Sequence, residues 1–327
     1  MNAYFVAAFF LFGLVFGSFL NVCIYRMPRD LSVVKPKSAC PSCGKPIAFY
    51  DNIPVLSWIL LRGKCRHCKA AISPRYAAVE LLTGIVFVLA YLASAGILPG
   101  YVASTCDLAG RSLVEPIKFC VLGFLLLGLI FTDAETRLLP DLLTKPGIVL
   151  GLLFSLAAPV ECGELCHDRI LPSLANLFSV PGPVYSLINA AAGAIIGSAF
   201  ILGIALLYQA VRGVEGMGRG DVKLMGLIGA FLGVKLTLMV LVLGSLLGSL
   251  FGGLLILWVW RKRLARRRKT HPSEARSQAR RRAWQSAVLI YRHFEIPFGV
   301  FLGIAALFSA FWGTALLCGY LRYSGVI

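Results

Sequence analysis

Gly216-Met217-Gly218-Arg219-Gly220-Asp221 opens onto a run from Val222 to Trp260 whose only charged residues are Lys223 and Lys235. A membrane crossing takes about 20 apolar residues, and this run is roughly twice that length. One helix cannot use it all, and the natural break is Gly233-Val234-Lys235, which leaves a short span followed by a longer one. The glycine string before the run permits positive φ and close approach of another chain. Its final carboxylate, Asp221, sits at the mouth of an apolar segment. Taken alone the string is weak, because a solvated Asp at a helix start fits it equally well.

Composition sets the class. Of the 327 residues 58% are hydrophobic and 14% charged, with a mean hydropathy of +0.80; a soluble domain carries roughly 25% charged residues. The chain therefore reads as an all-α polytopic membrane protein. Candidate spans are 3–25, 77–97, 114–132, 142–160, 185–210, the divided run 222–260, and 296–321, about eight in all. No Lys or Arg precedes Arg26, so the first apolar run reads as an uncleaved span rather than a signal peptide.

The formal net charge of +17 falls in blocks between the spans. Segment 26–76 holds ten Lys and Arg residues and 261–293 is richer still, whereas 98–113 has only Arg111 and 161–184 only Arg169. With eight spans both basic blocks lie on one side, as the positive-inside rule demands. Asp133 and Asp221 then both fall at the cytoplasmic edge and both chain ends outside. Topology and anionic lipid account for the basic residues, so nucleic acid is not an expected partner. The expected organisation is a first span (1–25), a cytoplasmic four-cysteine domain (26–76), a transmembrane core (77–260), a basic cytoplasmic insertion (261–293) and a last span (294–327). Gly244, Gly248 and Gly252, Gly193 with Gly197, and Gly299 with Gly303 recur every fourth residue, a spacing that lets helix backbones approach in lipid.

Cys40-Pro-Ser-Cys43 and Cys65-Arg-His-Cys68 are two C-x-x-C pairs inside the first basic segment. Each can present two thiolates from a tight knuckle, and four complete the closed shell of a structural zinc. Two disulfides or a redox pair are the competing reading, disfavoured in a reducing cytosol. The expected form is a zinc-ribbon-like loop domain that draws much of its folding energy from metal. Cys23, Cys120 and Cys318 read as small apolar side chains, and Cys162 with Cys166 as a local disulfide outside.

Span 114–132 ends in Thr132-Asp133, followed by Leu138-Leu139-Pro140-Asp141. A lone terminal Asp points to water as readily as inward. Paired with Asp221 in a dry pocket, the two cannot both ionise, and one proton is shared at neutral pH. That is the arrangement of an aspartic protease, with one carboxylate taking a proton from water and the other protonating the departing amine. Neither Gly-x-Ser-x-Gly nor His-Glu-x-x-His occurs.

These features together resemble the bacterial type IV prepilin peptidases, membrane aspartic proteases of the Gly-x-Gly-Asp type. The resemblance runs through Gly17-Ser18-Phe19-Leu20-Asn21-Val22 with Arg26 and Pro28, the cysteine quartet with Asn52-Ile53-Pro54 between its pairs, Gly63-Lys64-Cys65, Arg75-Tyr76 and Val79-Glu80-Leu81. It continues through Asp133 with Leu138 to Asp141, Glu215 to Asp221 with Lys223, and Ile296-Pro297-Phe298-Gly299. It implies cleavage of the basic leader of prepilins and type II secretion pseudopilins at the inner-membrane edge, and N-methylation of the new terminus with S-adenosylmethionine. Carried over, it makes Asp133 and Asp221 catalytic, and Gly216, Gly218, Gly220 and Lys223 an active-site loop. It makes Cys40, Cys43, Cys65 and Cys68 the ligands of a structural Zn2+, and links Gly63 and Glu80 to methyl transfer. Val300 stands where the family usually has proline, a departure expected to touch local geometry and no catalytic position. A peptidase without methylation, and a proton-coupled transporter with Asp133 and Asp221 as a relay, are the alternatives. Oligomeric state is not legible.

Overall fold

The computed structural model describes residues 3–35, 38–98, 113–157, 182–213, 218–270, 275–292 and 297–324. Every regular element of more than a few residues among these is helical. In chain order they are α1 (Ala3–Arg26), α2 (Leu56–Leu60), α3 (Arg75–Ser94), α4 (Val114–Thr136), α5 (Asp141–Ala157), α6 (Gly182–Arg212), α7 (Arg219–Thr270), α8 (Arg276–Arg292) and α9 (Phe298–Tyr323). Six are long and apolar enough to cross a membrane: α1 with its short 3-10 extension, α3, α4, α6, α7 and α9. Helix α5, at 17 residues, is shorter than these.

Helix α7 runs for 52 residues but is broken at Gly233, whose φ of 73° and ψ of 179° are non-helical. The break falls at the glycine the sequence marks, because only glycine adopts that conformation without strain. The chain satisfies the groups it frees there. Val234 N–H donates to Asn189 Oδ1 of α6 at 3.1 Å, and Thr237 Oγ1 donates to Gly233 O at 2.6 Å.

The two parts of α7 live in different surroundings. Residues 224–233 are buried without exception, so this part is covered on every face and forms the axis of the bundle. Helix α4 is the other deeply buried helix, with two thirds of its most apolar window covered. These two carry Asp221 and Asp133. Small residues let the neighbours close in, as their spacing predicts: a Cβ on Gly193 would stand 2.7 Å from Gly233 C, one on Gly197 2.8 Å from Thr237 Cγ2, and one on Gly244 2.8 Å from Leu302 Cδ2. Helices α1 and α3 meet the same way, with Gly13 against Gly84 and Gly17 against Glu80.

The described residues of the basic segment 261–293 are almost all helical. Helix α7 continues to Thr270, and α8 packs against it through Ala279, Ala283 and Ala287, each under 4% exposed. Trp260 and Trp284 meet edge to face at 6.4 Å. Cys23 and Cys120 are free and buried, as a small apolar role requires, but Cys318 near the end of α9 is disulfide-bonded. Cys162, Cys166, Gly216 and Met217 lie outside the described residues.

Candidate active site

Three helices converge on the carboxylates. Asp133 stands in the last turn of α4, where Arg137 takes the left-handed conformation (φ 56°) and returns its N–H to Asp133 O at 3.0 Å. Asp221 stands in the first turn of α7, and the two residues are 5% and 9% exposed. The third contributor is the start of α9. A Cβ on Gly299 would lie 2.8 Å from Asp133 Oδ2 and 3.2 Å from Asp221 Oδ1, so both carboxylates touch the same point in space. The Oδ2 to Oδ1 separation is bounded by the sum of those distances.

Asp133 also caps α9. That helix has no side-chain cap of its own at Pro297, and the Val300 N–H in its first turn donates to Asp133 Oδ2 at 3.0 Å. A helix start leaves such N–H groups without helical partners, and a carboxylate there is further favoured by the helix dipole. The Val300 departure is therefore not confined to local geometry. A proline at 300 would have no N–H to give, so this position bears directly on Asp133.

Other expected members of the site are placed differently. A Cβ on Gly220 would meet the Leu139 side chain at 3.0 Å, which explains a glycine there by close packing rather than by positive φ. One on Gly218 would meet nothing nearer than Gly220 N at 3.9 Å. Lys223 lies on α7 rather than in a loop, and its Nζ donates to Asp141 Oδ1. Asp141 also pairs with Lys145 at 2.7 Å, so Lys223 ties α7 to the start of α5. Gly299 and Val300 are the contributors that residue-by-residue reading passes over. Their signal was the Pro-Phe-Gly string at the start of the last apolar run.

The cysteine quartet forms a second centre. The Sγ atoms of Cys40, Cys43, Cys65 and Cys68 lie within 4.8 Å of one another, a cluster able to hold a metal ion. The two knuckles repeat one another. Gly44 N–H returns to Cys40 O at 2.9 Å and Lys69 N–H to Cys65 O at 3.1 Å, each residue standing just after its second cysteine with φ near 60–70°. Short bridges, Ala39 with Pro46 and Lys64 with Ala71, close the two turns. Zinc–thiolate bonds of about 2.3 Å in a tetrahedron place sulfurs about 3.8 Å apart, and Cys40 Sγ lies 3.8 Å from Cys68 Sγ. Backbone N–H groups of Cys43 and Ser42 pull the Cys40 thiol down to about 6, whereas at Cys68 the Ala70 N–H is outweighed by burial and the neighbouring sulfurs of Cys65, Cys40 and Cys43, which push that thiol up to about 11. From within the second knuckle the Arg66 guanidinium grips Asp51 through two nitrogens and holds its carboxyl below the usual carboxylate range.

The quartet is tied to the helices. Ile72 N–H donates to Gly63 O at 2.7 Å, and Trp58 Nε1 donates to Ile72 O at 3.2 Å. Gly63 needs its positive φ of 64°, and a Cβ there would stand 3.0 Å from the Trp58 ring. Three residues beyond Ile72, Arg75 begins α3 and pairs with Glu135, two residues after Asp133. Glu80, on the first turns of α3, accepts Val55 N–H at 2.7 Å. Gly63 and Glu80 therefore flank the junction of quartet and helix bundle, apart from the Gly299 point.

The architecture is thus a buried carboxylate pair with a four-cysteine cluster at the same end of the helix bundle. Residues 120–253 match the model of the type IV leader peptidase family, and residues 11–94 that of the bacterial peptidase A24 N-terminal domain. The chain belongs to the type IV leader peptidase family. It is 32% identical over 338 residues to the prepilin leader peptidase/N-methyltransferase of Aeromonas salmonicida, across 95% of this chain and 92% of that one. It is 31% identical to the protein of the same name from Pseudomonas aeruginosa, across 98% and 95%. For the Klebsiella pneumoniae protein of that name the identity is 37%, across 72% of this chain and 89% of that one. No solved structure matches the chain.

Proposed function

We propose that this chain is a prepilin leader peptidase and N-methyltransferase, in which Asp133 and Asp221 cut the leader. The observation that carries the reading is the convergence of both carboxylates on Gly299. Two carboxylates so close hold one proton between them. The ionised one draws a proton from water as the water attacks the scissile carbonyl, and the protonated one delivers its proton to the leaving amine. Both catalytic side chains stand on rigid helices, and Val300 N–H fixes one Asp133 oxygen.

Counting α5, and α7 as two spans divided at Gly233, gives eight crossings in the inner membrane with the site at the cytoplasmic edge. Two features support that orientation. The cluster of free cysteines lies at the carboxylate end, which suits a reducing compartment. Cys318, most of the length of α9 away from Gly299, is disulfide-bonded, which suits an oxidising one. Helices α7 and α8 then project the basic segment into the cytoplasm beside anionic lipid. Prepilins and type II secretion pseudopilins are the substrates, entering from the lipid with the leader junction at the carboxylates. Cys40, Cys43, Cys65 and Cys68 hold a structural Zn2+, with no ligand position left for chemistry. Methyl transfer uses S-adenosylmethionine, which supplies the activated methyl group.

The test is cleavage of a prepilin in membranes carrying wild type, Asp133→Asn or Asp221→Asn at matched protein levels. Both variants should fail to process the leader. Processing by either would sink the dyad and bring a proton relay forward.

A further inference from the structure

Four buried side-chain atoms lack a hydrogen-bond partner among the described residues: Asn21 Oδ1, Arg75 Nε, Asn189 Nδ2 and Ser309 Oγ. Unpaired buried polar groups are costly and few in native folds, so each calls for an account. Asn189 belongs to the α7 break, which uses its oxygen. The Ser309 hydroxyl can turn toward a carbonyl of its own helix.

Asn21 and Arg75 are different, because they occur together and are opposite in kind. Asn21 Nδ2 donates to Tyr76 O at 2.9 Å, which fixes the amide orientation and leaves Oδ1 as an unused acceptor in a residue 4% exposed. Arg75 precedes Tyr76 in the chain. Its Nη1 pairs with Glu135 and its guanidinium lies over the Tyr76 ring at 4.7 Å, yet Nε has nothing to donate to. One helical turn further along α3 stands the buried Glu80 carboxylate, which accepts from Val55 N–H and the Ser18 hydroxyl and keeps lone pairs for a further donor. Gly17 brings α1 onto this segment, since a Cβ there would lie 2.6 Å from Glu80 Cα. Two acceptors and one guanidinium edge are therefore gathered at one end of the α1–α3 pair.

A ligand that satisfies both orphans must both donate and accept. We propose that Asn21, Glu80 and Arg75 seat an α-amino-acid zwitterion, the amino-acid end of the sulfonium methyl donor. Its ammonium donates to Asn21 Oδ1 and Glu80, and its carboxylate accepts from the Nε edge of Arg75. An ammonium carries three donors and uses several acceptors at once. A guanidinium can serve two carboxylates on two edges, and here Glu135 takes only the Nη1 side. This inference rests on the methyl-transfer half of the function proposed above. The N-terminus of a cut substrate shares the ammonium, but it presents an amide carbonyl in place of the carboxylate.

The experiment measures, on purified full-length protein in detergent, the Kd of S-adenosylhomocysteine and of its analogue lacking the α-carboxylate. Wild type, Arg75→Gln, Asn21→Leu and Glu135→Gln are compared. Wild type should prefer the carboxylate form by about ten- to hundredfold, the range of a charge-assisted hydrogen bond. Arg75→Gln should bind the two alike, Glu135→Gln should keep the preference, and Asn21→Leu should weaken both ligands by similar factors. Because the preference is a ratio, partial loss of folded protein does not change it. Retained preference in Arg75→Gln, loss of it in Glu135→Gln, or no preference in a wild type that binds the nucleoside would overturn the seat and leave methyl transfer standing. A wild type that neither binds S-adenosylhomocysteine nor yields methylated product would overturn the methyl-transfer reading itself.

Discussion

Replacing Gly299 by alanine adds one methyl group at the point where the two carboxylates meet. The new Cβ would stand 2.8 Å from Asp133 Oδ2, 3.2 Å from Asp133 Cγ and 3.2 Å from Asp221 Oδ1. An ordinary carbon–oxygen contact is longer, so Asp133 must move by roughly half an ångström, and a misplacement of about 1 Å costs on the order of a hundredfold in rate. Cleavage should therefore fall by about ten- to hundredfold. Stability should change less than activity, because the new methyl presses on the ends of two side chains that can turn aside. The assay is the initial rate of leader cleavage in membranes, normalised to the amount of inserted protein. Gly303→Ala is the matched control, since its Cβ would press on Ile130 and no carboxylate. It should reduce the amount of folded enzyme while leaving the rate per molecule near wild type. Wild-type cleavage by Gly299→Ala, or an equal loss per molecule in the control, would refute the geometry.

The cysteine loop should depend on its metal. A chelator should release one zinc per chain and open residues 38–73 to limited proteolysis, and a zinc-free preparation with the loop still protected would count against a structural ion. At the α7 break, Asn189→Leu leaves Val234 N–H without its 3.1 Å partner and should lower stability by roughly 1–3 kcal/mol, read as the detergent unfolding midpoint. An unchanged midpoint would show that water serves equally well. Lys223 and Asp141 are 38% and 43% exposed, so their pair should contribute at most about 1 kcal/mol. Lys223→Met should cleave within about fivefold of wild type, and a hundredfold loss would place Lys223 in the reaction instead.

The length of the apolar runs made the six long spans legible, and the break at Gly233 could be read because a glycine two residues before Lys235 interrupts a run too long for one crossing. The quartet was legible from spacing, since four thiols in two knuckles allow few geometries. What single residues cannot show is which helix faces meet. Lys223 is two residues from Asp221 and so points elsewhere on the same helix, toward Asp141. Gly218 and Gly220 look alike in the string, yet only Gly220 presses on Leu139. The role of Gly299 was hidden because a glycine carries no chemistry of its own. It matters through the space it leaves, and that space exists only after α4, α7 and α9 have packed.

Asp133 and Asp221 stand on α4 and α7, but their common wall is the start of α9, the last of the described helices. Without Gly299 and Val300, Asp133 lacks the N–H that holds its Oδ2 and the two carboxylates lack their shared wall. The geometry of the carboxylate pair is thus set by the docking of α9 and not by α4 and α7 alone.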